Sequence, residues 1–166
     1  MIGRQILTYG QLATAAAKAA NLIQNLGLSR GDDVVWALRP RAELVAGILG
    51  TILFGAVPRV VEPGDCSDLR DARMLFVEAE EKPAIDARRR EFPDLWHVVV
   101  LVRSKATYSM GAGDFLWDDY YDPASDRFQA RPAAAAVVPE LVAPLLSGGT
   151  ITLRGIPVSS SFPDPR

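Results

Sequence analysis

Apolar positions change period repeatedly along the first hundred residues, and each change marks an element. Leu12, Ala15, Ala16, Ala19, Leu22, Ile23 and Leu26 recur at helical spacing. Thr8-Tyr9-Gly10-Gln11 ahead of them has the form of a capping box, and Gly27 suits a helix stop, so a helix is predicted over 10–26. Asp32 and Asp33 then open Val34-Val35-Trp36-Ala37-Leu38, a continuous apolar run of strand length. Such a run fits a strand covered on both faces. Pro40 introduces a second helix over 42–54, closed by Gly55. A short strand over 57–61 follows, where Pro58 points to an edge or a strand start. Further strands are predicted over 74–77 and 98–102. Between them, 78–90 reads as helical in its second half, with Pro83 in a first turn. Strands alternating with helices imply an α/β fold: a mostly parallel sheet with flanking helices.

From Ser104 to Pro139 this rhythm is lost, apart from a short helix expected around 115–121. Leu141 to Leu146, a Gly-Gly turn and Ile151 to Leu153 form the last ordered stretch. The chain thus divides into an α/β subdomain (1–103), an irregular connection (104–139), a strand–Gly-rich loop–strand remnant (140–158) and a disordered tail (159–166).

With 166 residues, 49% of them hydrophobic, the chain can build one genuine core. A net charge of −2 with interspersed signs leaves no footprint for nucleic acid. Cys66 is the single cysteine, which fits a reducing, cytoplasmic setting, and the N-terminus carries no signal-peptide pattern. The longest apolar segment, 44–57, has 14 residues. A membrane span needs about 20, so no membrane partner is expected.

Isolated candidates for chemistry are few. His97 is the sole histidine, at a strand entry; the sequence offers it no nucleophile elbow. Cys66 lies beside Asp65 and Asp68, and acidic neighbours raise a thiol pKa. Asp118, Asp119 and Asp122 lack the spacing of a calcium loop and read as a solvated turn. Arg88-Arg89-Arg90 reads as the solvated end of a helix, and Trp36 and Trp117 as packing residues.

A more specific signal is the ordered succession of short motifs. Leu7-Thr8-Tyr9-Gly10-Gln11-Leu12, Gly27-Leu28-Ser29-Arg30-Gly31-Asp32-Asp33-Val34, Glu43-Leu44, Gly55-Ala56-Val57-Pro58 and Pro63 come first. Met74-Leu75-Phe76-Val77-Glu78, Pro93-Asp94-Leu95, His97-Val98-Val99-Val100, Trp117-Asp118-Asp119 and Leu146-Ser147-Gly148-Gly149-Thr150 follow. Together they resemble the opening of the adenylate-forming superfamily, which holds acyl- and aryl-CoA synthetases and aryl-acid–AMP ligases. The resemblance covers most of residues 7–157. It implies an N-terminal portion of a ligase that activates a small carboxylate with ATP and Mg²⁺. The Ser-Gly-Gly-Thr run stands where that family's phosphate loop begins, and glycine lets a backbone approach an anion closely. Phosphate contacts are therefore implied at Ser147, Gly148, Gly149, Thr150, Thr152 and Arg154.

The match departs from the family at Ile151 and Thr152, where a second Thr or Ser and a Gly are usual, and at Arg154-Gly155, where Pro-Lys is usual. A guanidinium differs from an ammonium in reach and geometry. The link from Pro63 to Met74 is short for the helix usual there, and the family's acyl pocket, adenine motif, ribose-binding aspartate and mobile C-terminal domain have no counterpart in these residues. The resemblance thus implies a truncated ligase domain, inactive alone, whose partners are a complementing ligase fragment or a second copy. Two other readings stand: a non-catalytic α/β protein-interaction module, and nucleotide binding without turnover. Apolar runs around Gly148-Gly149 also read as a β-hairpin that needs no ligand.

Overall fold

The computed structural model describes residues 8–129, 150–153 and 156–159. The first helix, α1 (Tyr9–Asn25), starts at the capping box: Thr8 Oγ1 accepts from the Gln11 backbone N–H at 3.2 Å, and the Thr8 N–H donates to Gln11 Oε1 at 2.9 Å. Strand β1 (Asp33–Ala37) leads into α2 (Ala42–Phe54) and β2 (Val57–Val60). Gly55 ends α2 at φ +95°, a conformation that costs glycine little. Next come β3 (Ala72–Glu78), α3 (Lys82–Arg88) with a 3₁₀ turn over Arg89–Glu91, and β4 (His97–Leu101). Strand β5 (Asp114–Leu116) runs straight into α4 (Trp117–Tyr121).

These five strands form one sheet in the order β2-β1-β3-β4-β5, every neighbouring pair parallel. Pro58 does sit on an edge strand, where its missing N–H costs no ladder bond. Separately, β6 (Thr150–Leu153) and β7 (Ile156–Ser159) pair antiparallel.

Period-two alternation sorts the sheet's side chains. Val34, Trp36, Met74, Phe76, Val99 and Leu101 join α1 and α2 in one core cluster. Val35, Ala37, Leu75, Val77, Val98 and Val100 join Ile85, Phe92 and Leu95 in the other. Both faces are covered, which is why the strands read as unbroken apolar runs. Leu12, Leu22 and Ile48 are buried, as the helical periodicity requires. Each such side chain contributes about 1.5–3 kcal/mol through burial. Gly50 lets the α1 backbone close on α2: a Cβ there would lie 2.7 Å from the Ala16 carbonyl oxygen and 2.8 Å from the Ala20 nitrogen.

Three departures from the sequence pattern have local causes. Strand β3 spans Ala72–Glu78 rather than 74–77, because the Glu78 backbone continues the ladder opposite Leu101. Strand β5 was not foreseen; three half-buried residues carry too little pattern to register. Arg89 is not wholly a solvated helix end, since it turns inward to Asp114. The connection from Val60 to Ala72 holds no helix, in line with its shortness. No helix among the described residues is long and apolar enough to cross a membrane.

Candidate functional site

Chain direction across the sheet reverses between β1 and β3, and in open parallel sheets ligands favour the crevice outside the strands' carboxyl ends at such a point. Here that crevice holds ion pairs. Glu78, the last residue of β3, has a side chain only 2% exposed. Its carboxylate accepts from the Arg39 backbone N–H at 3.1 Å, from Arg41 Nη2 at 2.8 Å and from the Arg39 guanidinium. Both arginines lie on the β1–α2 connection, so one carboxylate ties the ends of β1 and β3 together. Nearby, the Ser104 hydroxyl donates to Glu80, and that hydrogen bond holds the Glu80 carboxyl below its ordinary range.

On the helix side, a pocket of about 210 Å³ opens between α1, α2 and α4. Arg103 stands at it, 3.3 Å from Glu43 and 3.3 Å from Asp118. Tyr121 forms part of the wall; burial first, then the charges of Glu43 and Asp122, push its phenol pKa up. Sites for drug-sized ligands run from about 300 Å³ upward, so this pocket by itself is too small for a nucleotide.

A third cluster lies under α3. Lys82, wholly buried, contacts Asp114 at 2.8 Å and the Ser109 carbonyl at 3.1 Å, and also pairs with Asp86. Asp114 further accepts from the Gly111 N–H at 2.7 Å and lies 3.3 Å from Arg89. Burial works to raise the Asp114 carboxyl. The Lys82 and Gly111 hydrogen bonds, with the charges of Lys82 and Arg89, outweigh it and hold the group below its usual value.

His97 enters β4 with its ring 5.2 Å from that of Phe115; burial lowers its pKa against a hydrogen bond with the Leu26 backbone. Both shifts are downward, so both groups favour the folded state when deprotonated and lose that contribution as pH falls. Stability should therefore decline below about pH 6.5 through His97 and again below about pH 4 through Asp114. Thermal melts between pH 8 and pH 3 check this, and His97→Gln should remove the upper step only.

Cys66 is buried, and burial pushes its thiol upward, away from thiolate reactivity. Trp36 and Trp117 are core residues. Asp118 and Asp119 are exposed in the first turn of α4, where acidic side chains suit the helix dipole, rather than in a turn. Among the described residues, no cluster of His, Cys, Asp or Glu is placed to hold a metal ion.

Of the phosphate-loop candidates, Ser147, Gly148, Gly149 and Arg154 lie outside the described residues. Thr150 and Thr152 lie in β6, opposite Ser159 and Pro157. Leu153 pairs with Ile156, and the Gly148-Gly149 turn lies outside the described residues.

The sequence did not single out Glu78 with Arg39 and Arg41, Lys82 with Asp114, or Glu43 with Arg103 and Asp118. One signal was available for the first group: a charge closing each of two apolar runs, 34–38 and 74–77. The other pairings join residues 15, 32 and 60 positions apart, which no local pattern encodes.

Comparison with known proteins gives a consistent picture. A family model described as AMP-binding enzyme matches residues 2–91. The chain is 30% identical over 145 residues to a 3-hydroxybenzoate–CoA ligase of Aromatoleum sp. (strain CIB), covering 80% of this chain and 25% of that protein. It is 29% identical over 134 residues to acetyl-coenzyme A synthetase 1 of Candida albicans, covering 69% of this chain and 20% of that one. Among solved structures, the anthranilate CoA ligase AuaEII in complex with anthranoyl-AMP superposes with a TM-score of 0.59 at 26% identity. That match covers 73% of this chain and 24% of the ligase. The chain thus spans about a quarter of the length of these relatives.

Proposed function

Since the chain belongs to the AMP-binding enzyme family, we propose that it serves ATP-dependent carboxylate activation as the N-terminal α/β part of an acid–AMP or acid–CoA ligase, and that these residues alone are inactive. In that reaction a carboxylate oxygen attacks the α-phosphorus of ATP, giving an acyl–AMP and releasing pyrophosphate; a thiol then often takes the acyl group as a thioester, and AMP leaves. ATP, and Mg²⁺ with it, come to this reading by resemblance, as does the small carboxylate.

The observation that carries the proposal is the match of the parallel-sheet domain to a quarter of an anthranilate CoA ligase. The described residues contribute a scaffold. The sheet and its ion-paired carboxyl ends fix the β1, β3 and β4 termini, on which a ligase could build its reacting groups. Holding a carboxylate and ATP in line requires groups from both sides of the reacting atoms, and the small Arg103 pocket cannot supply them. The partner in this reading is a complementing ligase polypeptide or a second copy of the chain.

ATP–pyrophosphate exchange over a panel of aryl and acyl acids tests the proposal. Residues 1–166 should show no exchange above background. Losing one well-placed transition-state donor typically costs about 10²–10³ in rate, and several are missing here. Ile151→Thr, Thr152→Gly, Arg154→Pro and Gly155→Lys together should improve phosphate binding without restoring turnover. Exchange that Gly148→Val abolishes would show that this chain holds a complete active site.

One observation favours the interaction-module reading. Trp96 is 52% exposed, with the Arg73 guanidinium 4.5 Å above its ring. Tryptophan and arginine are the side chains that most often anchor interfaces. Loss of partner binding in Trp96→Ala, with the fold intact, would support it.

A further inference from the structure

We infer that residues 103–116, comprising the connection after β4 and strand β5, form a strap that opens as a unit, latched to the domain by the buried Lys82–Asp114 ion pair. This inference stands apart from the proposed function and rests on how the strap is attached.

Little apolar burial holds the segment. Most of residues 103–112 are exposed, and the three residues of β5 are each only partly buried. Its apolar contacts are all partial: Ala106, Tyr108 and Leu116 meet the second core cluster and Phe115 the first, none of them fully buried. Regions with few buried apolar contacts open at low free-energy cost, independently of the rest of a fold. Set against this, polar attachment is dense: Arg103 and Ser104 tie its start to Glu43 and Glu80, and over residues 109–114 the side-chain contacts converge on Lys82. The Lys82 ammonium, with no exposure, reaches the strap twice: the Ser109 carbonyl at 3.1 Å and Asp114 at 2.8 Å. Asp114, 4% exposed, closes its own loop through the Gly111 N–H and receives Arg89. Both ends of the latch are therefore desolvated, and removing Lys82 leaves the buried Asp114 carboxylate with only the longer 3.3 Å contact to Arg89 as its counter-charge.

The two sides of the latch belong to different elements. Lys82 is on α3, fixed by Ile85 in the second core cluster, whereas Asp114 begins the edge strand. Beyond β5, Trp117 is buried in the first core cluster and anchors the chain again. The strap thus runs between two fixed points, Leu101 and Trp117. Its release uncovers the edge of β4, a row of backbone groups ready to pair with another strand.

Hydrogen exchange with segment-level resolution tests this. In the wild-type chain, amides of 103–116 should exchange at least 100-fold faster than those of β1 and β3, with little denaturant dependence. Lys82→Met keeps most of the side chain's volume and removes its charge. It should speed exchange in 103–116 a further tenfold or more and leave β1 and β3 within twofold. Equal speeding of all segments would overturn the inference, because the pair would then support the whole fold. So would wild-type exchange from 103–116 at the same rate and denaturant dependence as β1 and β3. Should Lys82→Met fail to fold, the pair supports the whole domain and the inference also fails.

Discussion

Gly47→Ala should destabilise the domain by about 2 kcal/mol or more, although alanine improves helix propensity by about 1 kcal/mol. A Cβ at Gly47 would lie 2.1 Å from the nearest carbon of the Trp36 ring. That ring cannot retreat. It is fully buried, stacks on Phe76 at 3.7 Å between centroids and 3° between planes, and meets Trp117 edge-on at 6.2 Å. Its Nε1–H donates to Thr51 Oγ1 at 3.1 Å, and the Thr51 hydroxyl donates in turn to the Gly47 carbonyl at 2.8 Å. Added volume at residue 47 therefore moves the indole, the aromatic stack and the Thr51 bond together. Urea unfolding followed by circular dichroism would read the loss as a lower midpoint. In a Trp36→Leu background the same substitution should cost far less, and the difference measures the coupling. As a contrast, Gly10→Ala in the first turn of α1 has only Thr8 Oγ1 at 4.0 Å to meet. It should be neutral or stabilising by up to about 1 kcal/mol. Equal effects at residues 47 and 10 would contradict the packing described.

Glu78→Ala should cost about 2–3 kcal/mol. Removing one partner of a buried pair typically costs about 3–5 kcal/mol. The lower figure applies because the stranded partners are partly wet: the Arg39 and Arg41 side chains are 55% and 23% exposed. What remains is the Arg39 backbone N–H without its acceptor and the lost tie between the ends of β1 and β3. Glu78→Gln retains an acceptor for that N–H and should recover part of the loss. Because the site ties strands together in this reading, the two variants should rank the same way in thermal melts as in urea.

Much of the fold was legible in the chain because burial on two faces writes itself into sequence. Helix α2 lies at 42–54 as read, α1, β1 and β4 are each shifted by one residue at both ends, and β2 is one residue shorter than predicted. The reason is that periodicity, the capping box at Thr8 and the glycine stops are local and need no partner to be recognised. Family membership was likewise carried by an ordered series of local motifs. β5 escaped notice because a three-residue edge strand is specified by its neighbour β4, not by its own pattern.

The charged groups show the same boundary more sharply. Sequence placed Glu78, Lys82, Asp114 and Arg103 in the chain but gave no reason to join them. Their pairing depends on which strand lies beside which, and the sheet order β2-β1-β3-β4-β5 is a tertiary fact. Once that order brings a lysine and a carboxylate into a space without water, the cost of leaving either charge alone forces the pair. Periodicity thus determined that this chain forms a two-faced parallel sheet, and the resemblance of its ordered motifs pointed to the AMP-binding family. Only the packing of the elements decided which of its charges are buried and what each of them holds in place.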